Sequence, residues 1–237
     1  MILMLFGSLV ISFSGLLIRN ISSADTWQIN FYRSLAFGCT ISVLLILRYG
    51  KSAPKKAKLN GSSGFFAAAL LALAGITFLQ AITNTTVAAT TFTLSSIPFL
   101  TAIMAWTFLG ERISKSTVLT IFIAAIGIFI MFYQGLGSGS IYGNFMASLC
   151  AIGFSSYAII IRRNNKMEML PTLILSSLII MSVALIYTWD DLSVSWNDLL
   201  FCFVIGGLLQ ATANTLLIMA SRHLFAAELT LFMLLEF

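Results

Sequence analysis

Residues 86–109 read TVAATTFTLSSIPFLTAIMAWTFL, twenty-four residues without one ionisable side chain. Wound as an α-helix the run is about 36 Å long, enough to cross a hydrocarbon core of about 30 Å. Apolar runs of this kind recur along the whole chain, at roughly 2–18, 27–47, 64–82, 86–109, 117–133, 142–161, 171–187, 199–220 and a ninth starting near 224. The chain is 59% hydrophobic and only 9% charged, with a mean hydropathy of +1.00. A soluble domain carries about 25% charged residues, so this chain cannot cover a water-facing surface. Strands of a membrane barrel would alternate polar and apolar residues, and that alternation is absent. The expectation is an all-α polytopic membrane protein.

Several functional classes fall away on composition. Cys39, Cys150 and Cys202 all lie inside apolar runs and show no CxxC or Cys/His spacing, which argues packing and no metal. His223 beside Arg222 reads as an interfacial residue. The start, MILMLFGSLV, lacks a basic n-region and a cleavage site, so it reads as a first span. No HExxH, GxSxG or paired intramembrane Asp suggests an enzyme, and no phosphate-binding loop suggests ATP-driven pumping. No cofactor is expected. The net charge of +5 implies no nucleic-acid partner, because the basic residues serve another purpose.

Arg48, Lys51, Lys55, Lys56 and Lys58 follow span two; Arg112 and Lys115 follow span four; Arg162, Arg163 and Lys166 follow span six; Arg222 follows span eight. The alternate connectors hold Arg19 alone, and the one after span seven carries Asp190, Asp191 and Asp198. Eleven of thirteen Lys and Arg thus fall on one side, which predicts a cytoplasmic N-terminus in the cell membrane, with a bacterial inner membrane expected. Trp27, Tyr133, Tyr187, Trp189 and Trp196 gather at the other interface, as an aromatic belt does.

The two halves resemble each other. NTTVAATTFTLSSIPFL from Asn84 aligns with RHLFAAELTLFMLLEF from Arg222, and FSGLLIR (13–19) with FSSYAIIIR (154–162). Small-residue stripes precede both: Ser8, Ser12 and Gly15, then Ser148, Ala151 and Ser155. Five spans separate equivalent points, and an odd number inverts the second copy. The expected domains are a five-helix repeat over 1–137 and a second over 138–237. The second is cut in its fourth helix, because Leu224 to Phe237 is too short to span comfortably. The chain is thus expected to lack the rest of span nine and all of span ten.

PFLTAIMAWTFLGERIS (Pro98–Ser114) resembles the fourth-span signature of the drug/metabolite transporter superfamily, EamA type. TWQINFYRSLAF (Thr26–Phe37) resembles its second span with an embedded Arg, and ELTLFMLLEF its ninth, with Phe237 where that pattern has Pro. The resemblance implies ten helices in two five-helix inverted-topology repeats, both termini cytoplasmic, and movement of small metabolites. About nine spans are present here.

Candidate site residues follow from polarity inside spans. Arg33 lies about 9 Å inside span two, where an Arg faces a bundle interior or snorkels to the interface. Asn30 and Gln28 lie on neighbouring turns. Pro98 breaks span four by removing the bond to the Leu94 carbonyl, with Ser95 or Ser96 able to compensate; a midplane cavity and a packing kink are both open readings. Gly206, Gln210 and Asn214 recur every four residues on span eight, either as a helix–helix seam or as cavity-facing amides. Tyr157 and Trp106 are further candidates for substrate contact. Glu111 and Arg112, in the Gly-Glu-Arg turn, read as a structural or gating pair, and Glu228 as a residue reaching water near a helix end. Glu236 sits deeper, where a carboxylate must be paired or protonated, and is the first choice for substrate or proton coupling, with Arg33 a candidate partner.

The leading reading is a secondary transporter for a small polar or amphipathic metabolite, working by alternating access with proton or exchange coupling. The alternative is a channel-like or structural membrane protein without active transport. Expected partners are the small-molecule metabolite and the lipid bilayer; a homodimer is compatible with the sequence.

Overall fold

The structure, a computed structural model, describes residues 2–52, 61–111 and 140–233, together with 115, 118, 119, 122, 123 and 126. Among the described residues every regular element is helical. In chain order these are α1 (Ile2–Ile11), α2 (Phe13–Arg19), α3 (Thr26–Tyr49), α4 (Gly61–Asn84), α5 (Val87–Leu94), α6 (Ile97–Met104), α7 (Ile141–Arg163), α8 (Leu170–Tyr187), α9 (Trp196–Phe203), α10 (Ala211–Ala220) and α11 (Ala226–Met233). Two π-helical segments, Ala105–Leu109 after α6 and Val204–Gln210 between α9 and α10, continue their helices with wider turns.

Among the described residues six helices are long and apolar enough to cross a membrane: Thr26–Tyr49, Gly61–Asn84, Val87–Leu109, Ile141–Arg163, Leu170–Tyr187 and Trp196–Ala220. They match spans two, three, four, six, seven and eight of the sequence reading. Span one is a shorter apolar stretch, Met4–Arg19, interrupted at Ser12. Most of span five lies outside the described residues, and α11 falls where the sequence reading starts a ninth span.

Helix starts are written in short polar residues. Asp25 caps α3 by accepting from Trp27 N while Gln28 Oε1 accepts from Asp25 N, a reciprocal capping box. Thr86 caps α5, Ser140 caps α7 and Ser195 caps α9, each through its hydroxyl and the N–H three residues on. In an apolar solvent such caps matter because orphan N–H groups have no water to turn to.

The helices approach closely where side chains are smallest. A Cβ at Gly143 would lie 2.6 Å from Thr85 Cβ, and one at Gly38 would lie 2.4 Å from Ser177 Oγ. Gly206 is tighter still: its Cβ would fall 1.9 Å from the Arg33 carbonyl oxygen. Large apolar side chains such as Leu47, Phe66, Phe108 and Ile186 point outward, as lipid-facing residues do.

The two ends of the bundle differ. One end, here the basic end, gathers Tyr49, Glu111, Arg162, Glu168 and Arg222 in a set of contacts. At the other end Trp27 stacks on Tyr187 with ring centroids 4.2 Å apart. There, Asp198 accepts from the backbone N–H groups of Ser22, Ser23 and Ala24 and from Ser23 Oγ, tying the α2–α3 turn to the start of α9. Tyr32 Oη and Gln28 Nε2 donate to the Leu192 and Asp191 carbonyls of the facing loop. In that loop the Ser193 hydroxyl and N–H hold the Asp191 carboxyl below its ordinary range. Tyr133 lies outside the described residues.

Candidate functional site

Arg33 sits two turns into α3 and is buried, with 3% of its surface exposed. It does not snorkel. Its Nη2 donates to Asn30 Oδ1 at 3.1 Å and to the Gly75 carbonyl of α4 at 3.0 Å. Nε has no partner among the described residues, and neither does Asn30 Nδ2. Asn30, one turn earlier and wholly buried, therefore positions the guanidinium. Gly75 makes room for it: a Cβ there would meet Arg33 Nη2 at 3.7 Å and Ile180 Cδ1 at 3.1 Å.

Arg33 lines a cavity of about 110 Å³. Ser14, Gln210 and Asn214 supply its other polar side chains, and Leu71, Phe78, Phe154 and Ile205 contribute to a mostly apolar wall. Asn214 Nδ2 donates to the Gln210 carbonyl at 3.0 Å, so its Oδ1 is the atom left without a partner among the described residues. Among the described residues no carboxylate lines it.

The break in span four also faces this cavity. α5 ends at Leu94 and α6 begins at Ile97, and both residues line the wall. Pro98 lies in the first turn of α6, where its missing N–H costs little. The intervening Ser95 and Ser96 turn their hydroxyls back onto the Phe92 and Thr93 carbonyls, and Ser155 Oγ donates to the Ile97 carbonyl. The irregular backbone is thus satisfied from within and sits where it borders a cavity.

The two readings of span eight divide by residue. Gly206 is packing, pressed on the α3 backbone at Arg33, whereas Gln210 and Asn214 open onto the cavity. Gly206 and Gln210 both lie within the π segment, and Asn214 follows one turn later in α10.

A second cavity of about 270 Å³ shares Ser14 and Phe78 with the first. It continues between α2, α4 and α5 toward the end bearing Arg19. At the basic end the described residues are tied together by ion pairs. Glu111 accepts from Arg162 Nε at 2.7 Å and from Ala226 N at 3.2 Å, and Arg162 also donates to the Ser221 carbonyl and lies over the Phe225 ring. One carboxylate therefore joins the ends of spans four and six to the first turn of α11. Glu168 forms a second knot, accepting from Tyr49 Oη and Leu170 N and pairing with Arg222 at 3.5 Å.

The remaining predicted residues lie elsewhere. Tyr157 is fully buried in the core beside Phe37 and Ile41, with no hydrogen-bond partner for its hydroxyl among the described residues. Trp106 is 65% exposed on the outside of the bundle. Glu228 Oε2 accepts from Phe225 N and caps α11. Arg112 and Glu236 lie outside the described residues. Gly75, Ser14, Arg162 and Glu168 were not singled out from sequence. Arg162 carried a signal, charge at a span end, which topology alone explained.

No curated protein gives a significant match to this chain. A solved chain, described only as a crystal structure of a protein, superposes with a TM-score of 0.80 over 97% of this chain and 82% of its own. The two are 14% identical, so this likeness speaks for the fold alone. The profile of the EamA-like transporter family matches residues 1–133. That stretch is more than half of the sequence and includes Arg33, Gly75 and the broken span four; the chain belongs to the EamA-like transporter family.

Proposed function

We propose that this protein is a secondary transporter that moves a small polar or amphipathic metabolite by alternating access. The observation that carries the reading is the cavity in which Arg33, Gln210 and Asn214 converge inside an otherwise apolar bundle. An intramembrane cation and two amides around a space are what a binding site needs and a structural bundle does not. The second cavity gives that space a continuation toward one end, while the Glu111–Arg162 and Glu168–Arg222 pairs hold the other end together. With the N-terminus cytoplasmic, as the charge distribution implies, the ion-paired end is the inner one and the second cavity runs toward the outer one.

The pattern of helix neighbours supports an inverted repeat. Pairing spans one to four with six to nine, contacts two–eight and seven–three are equivalents, as are three–six and eight–one, and four–six and nine–one. All six occur. Spans two and seven, and four and nine, pack as self-equivalent pairs. Such a bundle has a second packing of similar energy, open to the other side, which requires the basic-end ion pairs to part. Glu236 is the coupling carboxylate in this reading, which makes transport proton-linked.

The test is uptake and efflux in proteoliposomes with a metabolite panel, with and without a pH gradient. Saturable, trans-stimulated flux that is weakened by Glu236→Gln supports the carrier. Linear, unsaturable flux supports the channel-like alternative and overturns it.

A further inference from the structure

The geometry points to a specific substrate class: a small organic monoanion whose carboxylate meets Arg33 and whose uncharged hydrogen-bond donor, such as a 2-hydroxyl, meets Asn214. The inference rests on the carrier reading above and narrows it.

Charge comes first. A guanidinium stays protonated at any physiological pH, so the cavity carries a fixed positive charge. Among the described residues no carboxylate pairs with Arg33, and two neutral acceptors, Asn30 Oδ1 and the Gly75 carbonyl, serve only its Nη2. Nε is buried and unpartnered on a residue that lines the space. An unpaired buried cation is costly, and a bound anion relieves that cost, whereas a bound cation doubles it. Organic cations are thereby excluded as ligands of this state.

The count of charges sets the valence. Arg33 is the one basic side chain on the cavity wall among the described residues, so a single negative charge neutralises the site. A phosphate dianion would leave one charge buried without a partner, and a zwitterion would bring an ammonium into an already cationic space.

Polarity and size set the rest. Asn214 Nδ2 is engaged, leaving Oδ1 without a partner among the described residues, an acceptor that a ligand's donor would satisfy. Phe78, Phe154 and Ile205 are suited to a short hydrocarbon body. A cavity of about 110 Å³ that continues past Ser14 and Phe78 into the second cavity suits a small solute, of the order of benzene in a cavity of about 150 Å³.

The experiment uses 2-hydroxybutyrate as probe against butyrate, 2-aminobutyrate, methyl phosphate and tetramethylammonium. Two readouts are taken: ligand-dependent thermal stabilisation of the purified chain, and counterflow in proteoliposomes. We expect saturable stabilisation by 2-hydroxybutyrate, weaker stabilisation by butyrate, and none by tetramethylammonium. Arg33→Gln should weaken binding about tenfold or more, the usual worth of a charge-assisted hydrogen bond. Arg33→Lys should retain part of the affinity, and Asn214→Leu should erase the advantage of the hydroxy acid over butyrate. Those two variants keep a cation in place, so misfolding of Arg33→Gln does not leave the question open.

Equal or better binding of tetramethylammonium, methyl phosphate or 2-aminobutyrate overturns the inference. So does unchanged affinity in Arg33→Gln, or binding of 2-hydroxybutyrate only after Glu236→Gln, which would make Glu236 the counter-ion of Arg33. If other solutes exchange in counterflow while 2-hydroxybutyrate neither binds nor moves, the substrate class fails and the carrier stands. If 2-hydroxybutyrate binds and no solute moves, the site stands and the carrier fails.

Discussion

Gly206→Ala is the substitution from which the packing of the site can be judged. In the structure a Cβ at this position falls 1.9 Å from the Arg33 carbonyl oxygen, 2.8 Å from its carbonyl carbon and 3.1 Å from its Cα. Ordinary contact begins at 3.4 Å, so α3 and the π segment must part by about 1.5 Å (3.4 − 1.9). The obstacle is backbone, not the end of a flexible side chain, and no rotamer change relieves it. Overpacking of this kind costs about 1–3 kcal/mol. Against it stands the gain of replacing a helical glycine by alanine, up to about 1 kcal/mol. The clash wins, by up to about 2 kcal/mol net.

Gly15 separates the two effects, because a Cβ there meets nothing within 4 Å. Gly15→Ala should be neutral or stabilising, whereas Gly206→Ala should lower the thermal midpoint by roughly 2–4 °C per kcal/mol lost. The assay is thermal unfolding of both variants in the same detergent, followed by reconstitution. Since the clash is with Arg33 itself, Gly206→Ala should also raise the KM for transport more than it lowers the amount of folded protein. A Gly206→Ala variant as stable as the parent, with unchanged KM, would refute the claim that this contact fixes Arg33.

Tyr157→Phe should leave stability unchanged or raise it slightly, because the buried hydroxyl has no partner among the described residues, and transport should be unaffected; a loss of flux would show that the hydroxyl is used in another state. Asp198→Asn should destabilise by about 1–3 kcal/mol, since it removes the charge that accepts from Ser22, Ser23 and Ala24, and limited proteolysis at the α2–α3 turn reads the loosening. Glu111→Gln and Arg162→Gln should show less-than-additive losses, with a coupling energy of about 0.5–2 kcal/mol in a double-mutant cycle of thermal stability; strict additivity would deny the ion pair. Asp191, held below its ordinary pKa by Ser193, contributes stability above its unfolded-state pKa that is lost as pH falls through the lowered folded value; Ser193→Ala should raise that folded value, as an Asp191 carbon chemical-shift titration would register.

What the sequence made legible follows from what the bilayer punishes. Charge inside an apolar run is rare, so Arg33 stood out, and its polar neighbour Asn30 followed by helical spacing. Gln210 and Asn214 stood out for the same reason, and Pro98 because it forbids one backbone bond. The structure brings Arg33, Gln210 and Asn214 to one cavity with the Pro98 break beside it. Trp106 and Tyr157 illustrate the opposite case. An aromatic residue with a polar tip is at home on a lipid face, in a core or in a site, and periodicity does not say which.

Gly75 was invisible for a deeper reason. Its contribution is a carbonyl and an absence of side chain, and neither appears in a one-letter code except as one glycine among sixteen. The same holds for Gly206, which read as a seam because small residues permit approach, though the sequence does not say to what. Both glycines meet Arg33, one at the guanidinium and one at the backbone. The charge that a ligand would neutralise and the tightest approach among the described glycines therefore belong to a single residue. A ligand on Arg33 would act directly on the contact between span two and span eight, and under the proposed repeat its counterpart is the contact between spans seven and three. In the alternating-access reading proposed above, a ligand placed there biases the choice between the two packings with no relay through intervening residues.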